Sequence, residues 1–193
     1  MSLNLRYVWA SVRLLLVFTV VLGFAYPLVV FAVGQLAFHS AANGSMVTYQ
    51  SKTVGSSLIG QSFDGPEWFQ SRPSAAGDGY DAMASGASNL SPSSAKLLAL
   101  VQERKAAVAA SDGVAAGSVP ADALTASGSG LDPNISPEYA AEQVARVAKA
   151  RGVDRSTVVA LVHKHTVGRS LGFLGEPAVN VLELNLDLAS TRP

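Results

Sequence analysis

The chain opens with a long apolar stretch. Residues 14–38 contain no charged side chain, and the next charged residue after them is Lys52. As an α-helix these 25 residues would extend about 37 Å, which exceeds a bilayer's hydrocarbon core of about 30 Å. The core helix of a soluble protein is rarely so long without a polar face. The pattern therefore predicts one transmembrane helix.

Charges on the two sides of this stretch predict its orientation. Arg6 and Arg13 precede it, and no cation follows it before Lys52. The positive-inside rule then predicts a short cytoplasmic N-terminus, residues 1–13, and an extracytoplasmic domain, residues 39–193. The predicted location is the plasma (inner) membrane, crossed once.

A cleavable signal peptide is the alternative to an anchor. Ser40-Ala41-Ala42 has the small residues of a cleavage site, but the apolar part of a signal usually runs about 7–15 residues. The length of the stretch favours an anchor. A mature N-terminus at Asn43 would contradict it.

One face of the predicted span carries small and helix-breaking residues. Thr19, Gly23 and Pro27 are spaced four apart, so they share a face, and Thr19 with Gly23 forms a small-xxx-small pair that admits a neighbouring helix. Pro27 removes a backbone hydrogen bond and predicts a kink. Two interpretations stay open: docking on a partner helix, or residues that are simply common in membrane helices.

The first half of the domain has weak patterns. Residues 55–69 are typical of short strands interrupted by glycine, with Leu58, Ile59 and Phe63 as expected core contacts. Residues 73–95 and 106–130 are rich in Ala, Gly and Ser, a composition typical of linkers. Residues 96–104 between them favour a helix.

The C-terminal third is clearer. Ser136 and Pro137 fit the N-cap and first position of a helix that ends at Gly152. Asp154 begins a second helix, whose apolar stripe ends in a packed His165. From 178 to 188, leucines alternate with polar residues, which predicts a half-buried strand. The predicted fold class is α+β: one N-terminal transmembrane helix followed by a small extracytoplasmic α+β domain.

Composition excludes several function classes. Basic and acidic residues balance at 14 each, so no basic surface indicates nucleic acid, and the absence of cysteine excludes thiolate chemistry. Phosphate-binding and serine-nucleophile motifs are missing from the sequence. His163 and His165 point about 200° apart on a helix and cannot share a metal. We expect no catalytic residue, bound cofactor or metal.

Several short motifs occur in an order that resembles a known family. They are Asn43-Gly44-Ser45, Gly60-Gln61-x-Phe63, Arg72-Pro73-Ser74-Ala75, 84–90 (ASGASNL), Val119-Pro120, 125–132 (TASGSGLD), 146–151 (RVAKAR) and 175–186 (GEPAVNVLELNL). Together they resemble the C subunit of Kdp-type potassium-transporting P-type ATPases (KdpC) over essentially the whole chain. The resemblance also implies that the Ala/Gly/Ser-rich stretches are ordered loops rather than linkers.

The family implies a complex and an accessory role. A channel-like subunit carries potassium, a P-type subunit hydrolyses ATP, and a small single-span subunit completes the set. The C subunit is needed for assembly and activity and is described as a catalytic chaperone that raises the ATP affinity of the hydrolysing subunit. Because the charge rule places the domain away from cytoplasmic ATP, we expect partner subunits to bind ATP and potassium, and this chain to act indirectly. An anchored extracytoplasmic ligand sensor is the alternative.

Polar and aromatic residues that match the family pattern are the expected partner contacts in the domain. Arg72, beside Pro73, is expected in a buried or interfacial ion pair. The alternative is that several of these residues satisfy backbone groups in loops. The full set is Gln61, Phe69, Arg72, Asn89, Asp132, Arg146, Arg151, Glu176 and Asn180.

Overall fold

The computed structural model describes residues 4–191 and divides into two compact units, one ending at Met46 and one beginning at Val47. The first unit is dominated by one apolar helix. This helix comprises α1 (Leu5–Val20), a π-helical turn (Val21–Ala25) and α2 (Tyr26–Ala37). The helix runs for 33 residues and none of its residues is buried. It is long and apolar enough to cross a bilayer, and it begins nine residues before the uncharged stretch.

A π-helical turn lies just before Pro27 in the span, and the kink expected at this proline stays a prediction. The turn ends at Ala25, two residues before the proline. Proline lacks an N–H, and its ring crowds the carbonyl four residues earlier, here that of Gly23. A π turn widens the helix at that point and relieves the clash. After α2 the chain forms the short helix α3 (His39–Ala42).

The second unit begins with a hairpin and continues through irregular chain. Strands β1 (Met46–Tyr49) and β2 (Lys52–Ser56) pair with each other. The prediction of strands over residues 55–69 was wrong beyond Ser56, because side chains rather than a neighbouring strand bind the backbone there. Leu58 is exposed, which contradicts its expected core position. Phe63 packs against the core as expected.

Helix α4 (Ala95–Asp112) includes the helix expected over 96–104 and continues eight residues further. Ser94 caps its first turn, and Gly113, with a left-handed φ of 68°, ends it. Half of the residues in the extension are alanine, the best helix former. The linker predicted there from composition is therefore wrong for residues 106–112, which are helical.

The core lies between three helices and a small sheet. Helix α5 (Pro137–Arg151) begins and ends at its predicted caps, and helix α6 (Arg155–His165) begins after Asp154 as predicted. Three antiparallel strands pair in the order β3 (Asn134–Ile135), β5 (Ala178–Asn180), β4 (Thr166–Val167). Side chains from α5, α6, β3, β5 and the helix that follows β5 form one buried cluster with Phe69. The α+β class is confirmed.

The strand predicted over 178–188 was wrong after Asn180. The chain forms the helix α7 (Val181–Ser190), and the Asn180 side chain accepts a hydrogen bond from the Glu183 N–H as its N-cap. The alternating leucines concealed a helical stripe. Val181, Leu184, Asn185 and Leu188 are buried at intervals of three and four, which is the spacing of one helix face.

Candidate functional site

A segment without regular secondary structure, residues 66–70, passes through the domain without a strand partner and contains one expected contact residue, Phe69. Its backbone is bound by side chains of α5 and α7. Arg146 donates from Nη1 to the carbonyl oxygens of Pro66 (2.7 Å) and Trp68 (2.9 Å). Its Nε lies 2.5 Å from Oδ1 of Asp112, in a pair of almost fully buried side chains. Arg146 therefore joins α4 and α5 to this segment.

Two buried amides bind the same segment as a strand would. Asn185 accepts from the Phe69 N–H (2.9 Å) and donates to the Phe69 carbonyl (3.0 Å). Gln143 accepts from the Gln70 N–H (2.6 Å) and donates to the Gln70 carbonyl (3.2 Å). Each amide thus satisfies both backbone groups of one residue, and neither amide is exposed. Buried backbone groups need such partners.

Arg151 completes the support of the segment. Its guanidinium stacks 4.4 Å from the ring centre of Trp68 and donates to the carbonyls of Glu67 (3.1 Å) and Leu188 (3.2 Å). A cation over an indole face is attracted by the ring quadrupole. Phe69 is fully buried in the core. Phe69, Arg146 and Arg151 therefore all contact other residues of the same chain.

The expected ion pair of Arg72 is confirmed, and its partner is Asp132. The Arg72 Nη1 atom lies 3.0 Å from Asp132 Oδ2, with both side chains mostly buried. The Tyr80 hydroxyl donates to the Arg72 carbonyl, while the other carboxylate oxygen of Asp132 accepts from the Asn134 N–H. The pair joins the 66–73 region to the loop before β3.

The Ala/Gly/Ser-rich stretches are ordered, as the resemblance implied. Ser74 donates from its hydroxyl to the Gly130 carbonyl (2.6 Å), and the Gly86 N–H donates to the Ser129 carbonyl (2.8 Å). Gly130 has a φ of 69°, and a Cβ there would lie 2.6 Å from the Ala76 nitrogen. Only glycine fits such a position.

The remaining expected contact residues of the domain are dispersed. The Asn180 side chain donates to the Ser57 carbonyl (2.7 Å). The Gln61 side chain lies against Gly55, and the Gln61 backbone carbonyl accepts a hydrogen bond from the Ser71 hydroxyl. Glu176 forms an exposed ion pair with Arg169. Asn89 is exposed and has a φ of 50°.

On the span, the Thr19 hydroxyl donates to the Leu15 carbonyl (2.8 Å). A Cβ added to Gly23 would meet Thr19 at an ordinary 3.9 Å. The helix itself therefore does not require glycine at position 23. The whole face of Thr19, Gly23 and Pro27 is open, and its role in partner contact stays a prediction.

Three residues central to this arrangement were not identified from the sequence: Asp112, Gln143 and Asn185. Gln143 and Asn185 each lie on the buried stripe of a helix, and a polar residue on such a stripe needs a buried partner. That signal was available for Gln143. For Asn185 the strand prediction concealed it.

Electrostatic shifts accompany this packing. Burial raises the pKa of the Glu142 carboxyl, and the negative charges of Asp112 and Asp122 raise it further. Hydrogen bonds from Lys164 and His165 lower the pKa of Asp187. His165 is thus packed as expected, mostly buried with Nε2 2.8 Å from Asp187. Within residues 4–191, no group of three His, Asp or Glu residues is arranged to hold a metal ion.

Comparison with known proteins gives one consistent result. Residues 8–190 match the family described as KdpC: K+-transporting ATPase, c chain. A "Potassium-transporting ATPase KdpC subunit" from Kineococcus radiotolerans is 62% identical over 98% of this chain and 96% of its own length. Proteins of the same name from Koribacter versatilis and Gemmatimonas aurantiaca are 50% and 55% identical, over 95% and 87% of this chain and 94% and 84% of their own lengths.

Proposed function

The chain belongs to the KdpC family of K+-transporting ATPase c chains, and on this premise we propose that it is a non-catalytic accessory subunit. It assembles with a channel-like potassium-translocating subunit, a P-type ATP-hydrolysing subunit and a small single-span subunit. One observation carries the proposal. Only one helix in the described part of the chain is long and apolar enough to cross a membrane, and a single span cannot enclose an ion pathway.

The proposed topology places the N-terminus in the cytoplasm and the domain outside, across the plasma (inner) membrane. Arg6 and Arg13 support it, since they lie in the first turns of the apolar helix. Cations flanking a span favour the cytoplasmic side. In this topology the domain is separated from cytoplasmic ATP by the bilayer.

Any effect of this chain on ATP affinity is then indirect. The domain stabilises one state of the channel-like subunit, and that preference reaches the hydrolysing subunit as a coupling free energy of about 1–3 kcal/mol. In this scheme the partners bind ATP and potassium. The internal network supports it, because Arg146 and Arg151 already donate to the chain's own carbonyls and carboxylate. Their donors are engaged in holding the fold.

The test is purification of the complex in detergent through a tag on this chain. We expect the potassium-translocating and ATP-hydrolysing subunits to co-elute with it, and elution of the chain alone would contradict the accessory role. A photoreactive ATP analogue should label the hydrolysing subunit and leave this chain unlabelled. Labelling of this chain would contradict indirect action without affecting the assembly result.

The span offers a matched pair of variants. Gly23→Leu adds a side chain to the open face that Thr19 shares, where nothing within the helix is crowded. If a partner helix packs there, Gly23→Leu should reduce the yield of the complex, whereas Ala32→Leu, at an exposed position on a different face of the same helix, serves as the control. Equal yields for both variants would refute docking through this face.

A further inference from the structure

Helix α4, residues 70–73 and the first turn of α5 border an open cavity of about 410 Å³. Ligand sites in proteins typically have volumes of about 300–1,000 Å³. Apolar side chains, including those of Pro73 and Val108, form much of its wall, and the side chains of Arg72, Arg104 and Tyr139 also line it. An apolar wall with a few polar groups is typical of a site for a small organic molecule.

The two arginines of the cavity bind the same short stretch of backbone. The Arg104 Nη1 atom donates to the Leu124 carbonyl (2.9 Å), and the Arg72 Nη2 atom donates to the Thr125 carbonyl (3.4 Å). Because these carbonyls belong to consecutive residues, the two guanidinium groups lie near each other. Within residues 4–191 the side chain of Arg104 makes no other hydrogen bond, so most of the five N–H donors of its guanidinium group are available to a ligand.

The charges around the cavity do not balance. Asp132 neutralises Arg72 at 3.0 Å, and Arg146 neutralises Asp112, a carboxylate that lines the cavity, at 2.5 Å. In the described part of the chain, Arg104 has no carboxylate partner. The cavity therefore presents one uncompensated positive charge.

Two further donors in the wall of the cavity lack acceptors. The Arg72 Nε atom is buried without a hydrogen-bond partner among the described residues. Tyr139 is 4% exposed, and within the same residues its side-chain hydroxyl has no partner either. Burial, followed by the charge of Asp112, raises the pKa of Tyr139, so the hydroxyl keeps the proton that it can donate. Asp122 and Glu142 contribute less to this shift and do not line the cavity. Buried polar groups normally have partners, so these donors indicate a bound acceptor.

We propose that this cavity binds a small organic monocarboxylate. A carboxylate matches the planar donors of a guanidinium group such as that of Arg104, and its oxygens can also accept from the Arg72 Nε–H and the Tyr139 hydroxyl. Its single negative charge balances the uncompensated charge of Arg104, and its organic part packs on the apolar wall. A water molecule would satisfy the donors but would supply no counter-charge. The proposal is independent of the accessory function, because every group that carries it belongs to this chain.

Calorimetric titration of the full chain in detergent tests the site with benzoate as the probe. Benzamide has the same ring and nearly the same shape but no charge, so it is the matched control ligand. We expect benzoate to saturate one site per chain and benzamide to bind at least tenfold more weakly. The proposal would be overturned by the absence of saturable benzoate binding at millimolar concentrations, by equal affinity for benzamide, or by tighter binding of the dianionic phenyl phosphate.

Two variants locate the site without relying on a change in folding. Tyr139→Phe removes a hydroxyl that has no partner in the described chain, so the thermal unfolding midpoint should not fall, while the affinity for benzoate should fall several-fold. Arg104→Gln should remove the preference for benzoate over benzamide. Lys105→Gln removes the same charge from the next residue of α4, which does not line the cavity, and should bind benzoate as the wild type does. Wild-type benzoate affinity in either Tyr139→Phe or Arg104→Gln would overturn the proposal.

Discussion

Asn185→Leu is the sharpest test of the side-chain network around residues 66–70. Leucine is close to asparagine in size, so packing is largely retained, but both hydrogen bonds to Phe69 are lost. Asn185 is 1% exposed, so water cannot replace it. Each orphaned buried backbone group costs about 1–3 kcal/mol. We therefore expect the free energy of unfolding to fall by about 3 kcal/mol, a large part of a typical stability of about 5–15 kcal/mol.

The assay is urea unfolding of the full chain in detergent, followed by fluorescence. Trp68 lies beside the affected bonds, and the chain contains one other tryptophan, Trp9. A Trp9→Phe background makes Trp68 the only reporter. Glu183→Leu introduces the same residue at an exposed position of α7 and should cost no more than about 1 kcal/mol. Equal unfolding midpoints for the two leucine variants would refute the role assigned to Asn185.

Three further predictions concern a glycine in a loop, the buried Arg146–Asp112 pair and the ion pair of Asp187. Gly130→Ala should lower the unfolding midpoint markedly because its Cβ meets backbone, whereas Gly128→Ala, with open space around it, should not; equal midpoints would contradict this. Arg146→Met should cost about 3–5 kcal/mol in urea unfolding because it leaves Asp112 buried without a counter-charge; a loss below about 1 kcal/mol would exclude a buried pair. Asp187 has a lowered pKa in the folded state, so its contribution is present above the unfolded pKa and lost as pH falls through the folded one. Acid unfolding of Asp187→Asn should therefore show a weaker decline of stability below about pH 4, and identical pH profiles would refute the shift.

Local signals predicted local structure well. Ser136, Pro137 and Gly152 determine the ends of α5 through contacts within one helical turn, so the sequence alone places that helix. The uncharged stretch predicts a span for the same reason, since length and polarity are properties of the segment itself.

The pattern of α7 shows where such reasoning fails. Leucines at every second position are typical of a strand. The buried face of helix α7 is recognisable only when Val181 and Asn185 are counted with Leu184 and Leu188. Asn185 is buried because it binds Phe69, a residue 116 positions away. No local pattern contains that contact.

The same limitation applies to the expected contact residues. Arg146 and Arg151 match the family pattern and carry charges, which suggested a surface role. In the folded chain both donate to backbone carbonyls of residues about 80 positions earlier. These two arginines and Asn180 do donate to backbone carbonyls of the chain itself, and their contact with a partner stays a prediction.

The dependence of residues 66–70 on α5 and α7 has a consequence for biogenesis. During synthesis this segment emerges long before the helices whose amides and guanidinium groups bind it. Until α7 has emerged, the peptide groups of Phe69 have only water as a partner. The domain must therefore fold after its synthesis is nearly complete, and a nascent chain stalled before Val181 should stay sensitive to protease throughout the domain.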